Sequence, residues 1–350
     1  MLLSLLEIVH PLVQAPMAGI STPAMAAEVA SAGALGSLGV GATDAAGART
    51  MIAAFRERSA RSLNVNVFCH APAKADEARQ ARWIERLRPE FSQLGAAPPA
   101  TLTEIYRSFL VDDEMLAALV AERPKVVSFH FGIPSADRVR ALRDAGIVVV
   151  GSATSLAEAR RLVDGGVQAI VAQGYEAGGH RGMFDPDAAD DRLGTLPLTR
   201  ILARELPVPV IAAGGIMDGA GVSAALRLGA AAAQLGTAFV LCPESAADDG
   251  YRQAMTSDAA HHTVMTRAIS GRPARCLANR FTGWAAANAV TDAEIPDYPI
   301  AYDLGKALHA AGKAAATKDR GFGAQWAGQG APLARSLPAA QRVAKLVAEM

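Results

Sequence analysis

Cysteine is scarce in this sequence. Cys69, Cys242 and Cys276 are the three present, too few and too scattered for a disulfide framework or a zinc site, and no other metal site is expected. A reducing, cytoplasmic setting is the expectation. Net charge is absent too: 34 Lys and Arg balance 34 Asp and Glu. A nucleic-acid or acidic-membrane partner would favour a basic face, so neither is expected, although a small anion needs only one or two local cations. No uncharged apolar run reaches the roughly 18 residues of a membrane span. Met1 to Val9 is apolar, yet it has no basic residue ahead of the apolar stretch and contains Glu7, so it does not read as a signal peptide.

What is present is a 350-residue chain that is 51% hydrophobic, enough for an α/β barrel of about 250 residues plus an insertion or small second domain. Short apolar runs alternate with Ala-rich, charge-flecked helical segments. Strands are expected at Leu12–Ala15, Ala34–Leu38, Leu63–Phe68, Val126–Phe129, Ile147–Val150, Ala169–Ala172, Val208–Ala212 and Ala232–Leu235. Thr22-Pro23 starts a helix through Ser31, with Thr22 as N-cap and Pro23 at the first helical position. Helices centred near Val139, Glu158, Leu202 and Ala224 separate later strands, and Pro72 to Glu122 reads as an enlarged helix–loop–helix connection. Eight buried strands with helical crossovers predict a (β/α)8 TIM barrel. A doubly wound sheet would carry a dinucleotide fingerprint after its first strand, and Met17-Ala18-Gly19-Ile20-Ser21 is not one.

After the eighth strand the cadence breaks into helices and loops, with Gln253 to Thr266 expected to be the most helical part. A mostly helical lid inserted after that strand is expected over 242–305, closing the mouth of a barrel formed by 1–241. The C-terminal helices, 306–350, then return to the barrel.

Chemistry in such a barrel gathers at the C-terminal ends of the strands. The first strand delivers Ala15, Pro16 and Met17, the third Asn66, the fourth His130. After the sixth, Gln173 opens a glycine-rich loop in which Gly174, Gly178, Gly179 and Gly182 surround Glu176, His180 and Arg181. Glycines let a planar ligand approach the main chain, and one histidine there is a candidate titratable group; an incidental histidine on a solvated turn is the plainer alternative. The seventh strand ends at Gly214 and Gly215, the eighth at Gln234, Leu235, Gly236 and Thr237. Loops after these two strands are the recurrent phosphate site of this fold. Phosphate there, with amides and a hydroxyl around the mouth, suggests flavin mononucleotide (FMN) rather than a free sugar phosphate.

Weaker candidates surround this set. His130 could bond a ligand or serve as a strand-end residue, and Tyr106, Tyr251 and Tyr298 could line the mouth or seal an interface. Tyr302 and Lys306 lie four apart on one helix face and could meet a carboxylate-bearing substrate or face solvent. Arg267, Arg272, Arg275 and Arg280 read as a solvated basic face, and His261-His262 as surface.

The segments Gln14 to Gly19, Asn64 to Asn66, Gln173 to Gly182, Ala213 to Ile216 and Gln234 to Thr237 together resemble the nitronate monooxygenases, formerly called 2-nitropropane dioxygenases. Pro299 to Lys306 and Trp326 to Gly330 resemble the bacterial class I branch. The resemblance implies non-covalent FMN held by Asn66, Gln173, Gly178, Gly215 and Gln234 to Thr237, with His180 beside the flavin. It also implies oxidation of an alkyl nitronate, propionate 3-nitronate above all, by O2 to a carbonyl compound and nitrite without NAD(P)H. From its chemistry, His180 is expected to serve as base for any neutral nitroalkane and as a polar anchor for nitronates. Two alternatives stand beside this reading: an NAD(P)H-dependent FMN barrel reductase acting on enoyl thioesters or quinones, and a non-catalytic FMN-binding protein. Chemistry resembling inosine-monophosphate dehydrogenase is disfavoured, because no cysteine lies between Cys69 and Cys242 to serve as nucleophile.

Overall fold

A computed structural model describes residues 2–315 and 321–350. In chain order its strands are β1 (Leu12–Gln14), β2 (Gly36–Gly39), β3 (Leu63–Phe68), β4 (Val126–His130), β5 (Val148–Ala153), β6 (Ala169–Gln173), β7 (Gly179–His180), β8 (Val210–Ala213), β9 (Ala232–Leu235), β10 (Thr263–Thr266) and β11 (Ala274–Leu277). Eight of them pair in parallel in the order β1-β9-β8-β6-β5-β4-β3-β2. A parallel bridge between Val13 and Leu35 joins the two ends, closing a (β/α)8 barrel with the expected strands in the expected order.

The crossover helices start where side-chain oxygens can occupy orphan backbone N–H groups. Thr22 accepts from Met25 N at 3.0 Å, and Asp44, Asp112, Ser155 and Asp218 cap their helices in the same way. Inside the barrel Val126, Val148, Ala169, Ala232 and Ile211 form one apolar layer with Leu2 and Leu6. The helix Leu2–Leu6 therefore plugs the N-terminal end of the barrel, leaving the opposite end for a ligand. A terminal helix, Ala339–Ala348, buries Val343 and Leu346 against the helices Pro23–Ser31 and Gly219–Arg227 on the barrel wall.

The cap is built from two stretches of chain. Trp83, Ile84, Leu87 and Phe91, on the helix Glu77–Gln93 that follows β3, share a core with Ile269, Phe281, Leu304, Leu308 and Phe322. Truncating a side chain of this kind, such as Phe281, costs about 3–5 kcal/mol. The boundary expected at 305/306 falls inside one continuous helix, Ile300–Ala314. Gln253 to Thr266 is not the most helical part of the cap. The helix Asp249–Met255 stops where the Thr256 and Ser257 hydroxyls bond back to carbonyls, and the β-branched run Thr263-Val264-Met265-Thr266 is strand β10. That strand pairs antiparallel with β11, and β11 pairs with β7. The loop after β6 thus forms one edge of the cap's own sheet.

Candidate active site

One cavity opens at the C-terminal ends of the barrel strands, under the cap. Its first side is main chain. Gly214 (φ 121°) and Gly215 (φ 70°) follow β8 in conformations that side chains rarely adopt, and Gly236 and Thr237 follow β9. Among the described residues the amide N–H groups of Gly214, Gly215 and Gly236 have no protein acceptor, so they are available to an anion. Glu176 braces this side from behind, accepting from Thr195 N and Oγ1 at 2.8 and 2.9 Å and so capping a helix whose preceding residue is Gly194. A strap, Trp326–Gly330, crosses close by: Gly328 N donates to Thr237 Oγ1 at 3.0 Å, and Gln329 N to Glu176 O at 2.9 Å. A Cβ on Gly178 would lie 2.4 Å from Gly328 N, so Gly178 is glycine because two backbones touch there.

Three amides line the wall between the two sides. Asn66 Nδ2 donates to Ser128 O and Oγ at 3.0 and 2.9 Å, leaving its oxygen for a ligand donor. The Gln234 side chain makes no hydrogen bond among the described residues, so both ends of its amide are free. Gln173 is committed instead to its own loop, donating to His180 O at 3.0 Å and accepting from Gly182 N at 2.7 Å.

The second side is made of side chains carried by the cap. His180 sits in the β7–β11 ladder opposite Ala274. Its carbonyl accepts from Gln173 and, at 3.2 Å, from His130 Nε2–H. Its ring packs against Phe131, Tyr298 and Trp326, with centroids 5.7, 5.2 and 5.0 Å away, and its Nε2 lies 2.9 Å from Ser270 Oγ. Burial, then the nearby His130, Arg272 and His70, hold the imidazole well below its usual pKa, so it is neutral at pH 7. Burial likewise pushes His130 down to about 4. Tyr106, Tyr298 and Tyr302 complete this side; burial raises all three phenols, Tyr302 to about 12, so they stay protonated donors. Tyr251 also lines the cavity and donates its hydroxyl to Trp326 O.

Ala15, Pro16, Met17, Asn66, Gln173, Gly178, Gly179, Gly214, Gly215, Gln234, Gly236 and Thr237 are brought together around the cavity, as are His130, His180 and four tyrosines. Two expected residues are not. Leu235 points into the core with Val222 and Ala225. Lys306 lies outside the lining, its ammonium 4.9 and 5.4 Å from the ring centres of Tyr106 and Tyr302. The arginines do not form a solvated face: Arg272 and Arg275 are buried, Arg272 over Phe131 at 4.3 Å and Arg275 donating to Tyr175 O at 2.9 Å. Arg267 pairs with Asp187 and Arg280 with Glu90.

Other lining residues escaped sequence reasoning. Ser128 and Ser152 continue the inward parity of Val126 and of Val148-Val150, a period-2 signal that the sequence itself carries. Trp326 belongs to a segment with a family resemblance, but the resemblance gives it no role. Nothing local marks Ser270.

A (β/α)8 barrel that offers bare N–H groups after β8 and β9, faced by a neutral histidine and protonated phenols, has the features of an enzyme that binds an anionic ligand at the mouth of its barrel. Comparison with known proteins narrows the class. The family described as Nitronate monooxygenase matches residues 1–349. A nitronate monooxygenase of Paraburkholderia phytofirmans is 58% identical over 352 residues, covering 100% of this chain and 94% of the relative. One from Pseudomonas aeruginosa is 51% identical, covering 99% and 97%. The solved nitroalkane oxidase of Streptomyces ansochromogenes superposes with a TM-score of 0.88 at 37% identity, over 99% of this chain and 97% of that one. The chain belongs to the nitronate monooxygenase family, and membership implies a flavin cofactor.

Proposed function

We propose that this protein oxidises alkyl nitronates of the propionate 3-nitronate kind with O2, giving a carbonyl compound and nitrite. FMN is the flavin, held without a covalent bond, and reduced nicotinamide takes no part. One observation carries the reading: a single cavity joins the unpartnered N–H groups of β8 and β9 to a neutral imidazole and protonated phenols, and no carboxylate lines it among the described residues. An anionic substrate meets phenol donors there and no like charge.

In this reading Gly214, Gly215, Gly236 and Thr237 hold the phosphate, while Asn66 Oδ1 and the free amide of Gln234 meet the polar edges of the heterocycle. Gln173 contributes by setting the His180 loop. FMN, when bound, supplies electron exchange between substrate and O2. The phenols of Tyr106 and Tyr302 orient the substrate, and His180 handles the proton of any neutral nitroalkane.

Oxygen uptake with propionate 3-nitronate, measured with and without NADH, tests the proposal. Uptake that depends on the nitronate and ignores NADH is expected. Rapid anaerobic bleaching of the flavin by NADH or NADPH, with no nitronate-dependent uptake, would replace it with a reductase. A yellow protein inert in both assays would be a flavin carrier. The cofactor is checked by releasing it on denaturation and weighing it.

A further inference from the structure

We propose that Ser270 is a positioning residue that fixes His180 as its Nε2–H tautomer. Nδ1 then presents a lone pair to the cavity, as a base toward neutral nitroalkanes and not as a donor anchoring nitronates. This deepens the reading above and rests on it.

Ser270 is fully buried and has one proton to give. Its Oγ lies 3.3 Å from Arg272 O and 2.9 Å from His180 Nε2. The carbonyl can only accept, and no other donor among the described residues reaches it. Turning the hydroxyl toward the imidazole would strand a carbonyl of a buried residue, at a cost of about 1–3 kcal/mol. The serine proton therefore goes to Arg272 O, and the serine lone pair takes the Nε2–H of His180. Gln173, His130 and the β7–β11 ladder hold the main chain of His180, so Ser270 is left to hold its ring. Nδ1 has no partner among the described residues and is not one of the sealed atoms that lack one, so it opens to the cavity His180 lines.

The polarity of that nitrogen decides its use. A lone pair repels the oxygens of a nitronate, so anchoring falls to the phenols of Tyr106 and Tyr302. Toward a neutral nitroalkane the same lone pair takes the α-proton. The C–H bond breaks, its electron pair moves into the C=N bond of the nitronate, and the proton rests on Nδ1 of an imidazolium whose Nε2–H still meets Ser270.

Nitrogen-15 spectra of the flavin-loaded protein carrying labelled histidine, with His180→Asn to assign the signal, read the tautomer without any turnover. An Nε2-protonated imidazole is expected; an Nδ1-protonated or averaged signal overturns the proposal. In Ser270→Ala, nitroalkane turnover should fall about tenfold relative to nitronate turnover, a fraction of the roughly 10²–10⁴ a whole general base supplies. Ser270→Thr, which keeps the hydroxyl, should recover most of that ratio. Equal losses on both substrates, or no recovery by threonine, would also overturn it. Should the protein oxidise no nitronate at all, the functional reading fails and the tautomer measurement stands alone.

Discussion

The two sides of the cavity are made of different material. On the β8–β9 side the ligand meets backbone: glycine amides held at positive φ, braced by Glu176 and by a strap of chain. On the cap side it meets side chains drawn from Tyr106, His180, Tyr298, Tyr302 and Trp326. Backbone N–H groups carry no titratable proton and cannot change rotamer, which suits a permanent cofactor. Imidazole and phenol can exchange protons and adapt, which suits a substrate that comes and goes. The lesson is that mutations on the first side should act on cofactor retention, and those on the second on the proton.

The sharpest way to break this contrast is His180→Asn. Nitroalkane turnover should fall by about 10²–10⁴ while nitronate turnover falls far less, read by oxygen uptake on both substrates. Parallel losses would merge the two sides into one. Asp190→Asn comes next. Asp190 receives the fork of Arg181, Nε and Nη2 each 2.9 Å from its oxygens, while Nη1 reaches Gln173 O at 2.6 Å. Burial alone would raise this carboxyl, but Arg181 and the Arg192 N–H outweigh it and hold the pKa low. Stripping the pair leaves a buried guanidinium and should cost about 3–5 kcal/mol in denaturant unfolding. Because the folded pKa is depressed, this stabilisation is present above the unfolded carboxyl pKa and is lost as pH falls through the folded value.

Gly215→Ala probes the first side. Its Cβ would meet Glu176 Cβ at 3.2 Å with φ at 70°, so the turn must shift, and flavin content should drop about tenfold at limiting FMN, the equivalent of roughly 1.4 kcal/mol. Unchanged flavin absorbance per protein would remove the backbone cradle from the account. The smallest effect is an absence. With its pKa held well below 6.5, His180 stays unprotonated as pH drops through 6.5, so kcat/KM for a neutral nitroalkane should remain level there and decline only further down. A fall centred at 6.5 would mean an ordinary solvated imidazole.

The same contrast explains which parts of the site are legible in the sequence. The backbone side is contiguous, because a strand, a glycine turn and a helix start are neighbours along the chain; Ala213-Gly214-Gly215 and Gln234 to Thr237 announce it. The side-chain side converges from distant positions, and only its tyrosines and histidines stand out by chemistry. Ser270, ninety positions from His180, has no local signal. The two-residue strand β7 is too short for any periodicity, and its partner β11 lies in a segment whose pattern reads as helix and loop. Arg272 and Arg275 read as solvated because charge argues for water, whereas here carbonyls of Met183 and Tyr175 take the place of water.

The shared ladder of β7 and β11 has one more consequence. Ala274 and His180 face each other as registered partners, so the loop that carries His180 is tied to the cap and must move with it or lose that pairing. Under the proposed role of His180, movement of the cap would carry the imidazole with it, through backbone alone.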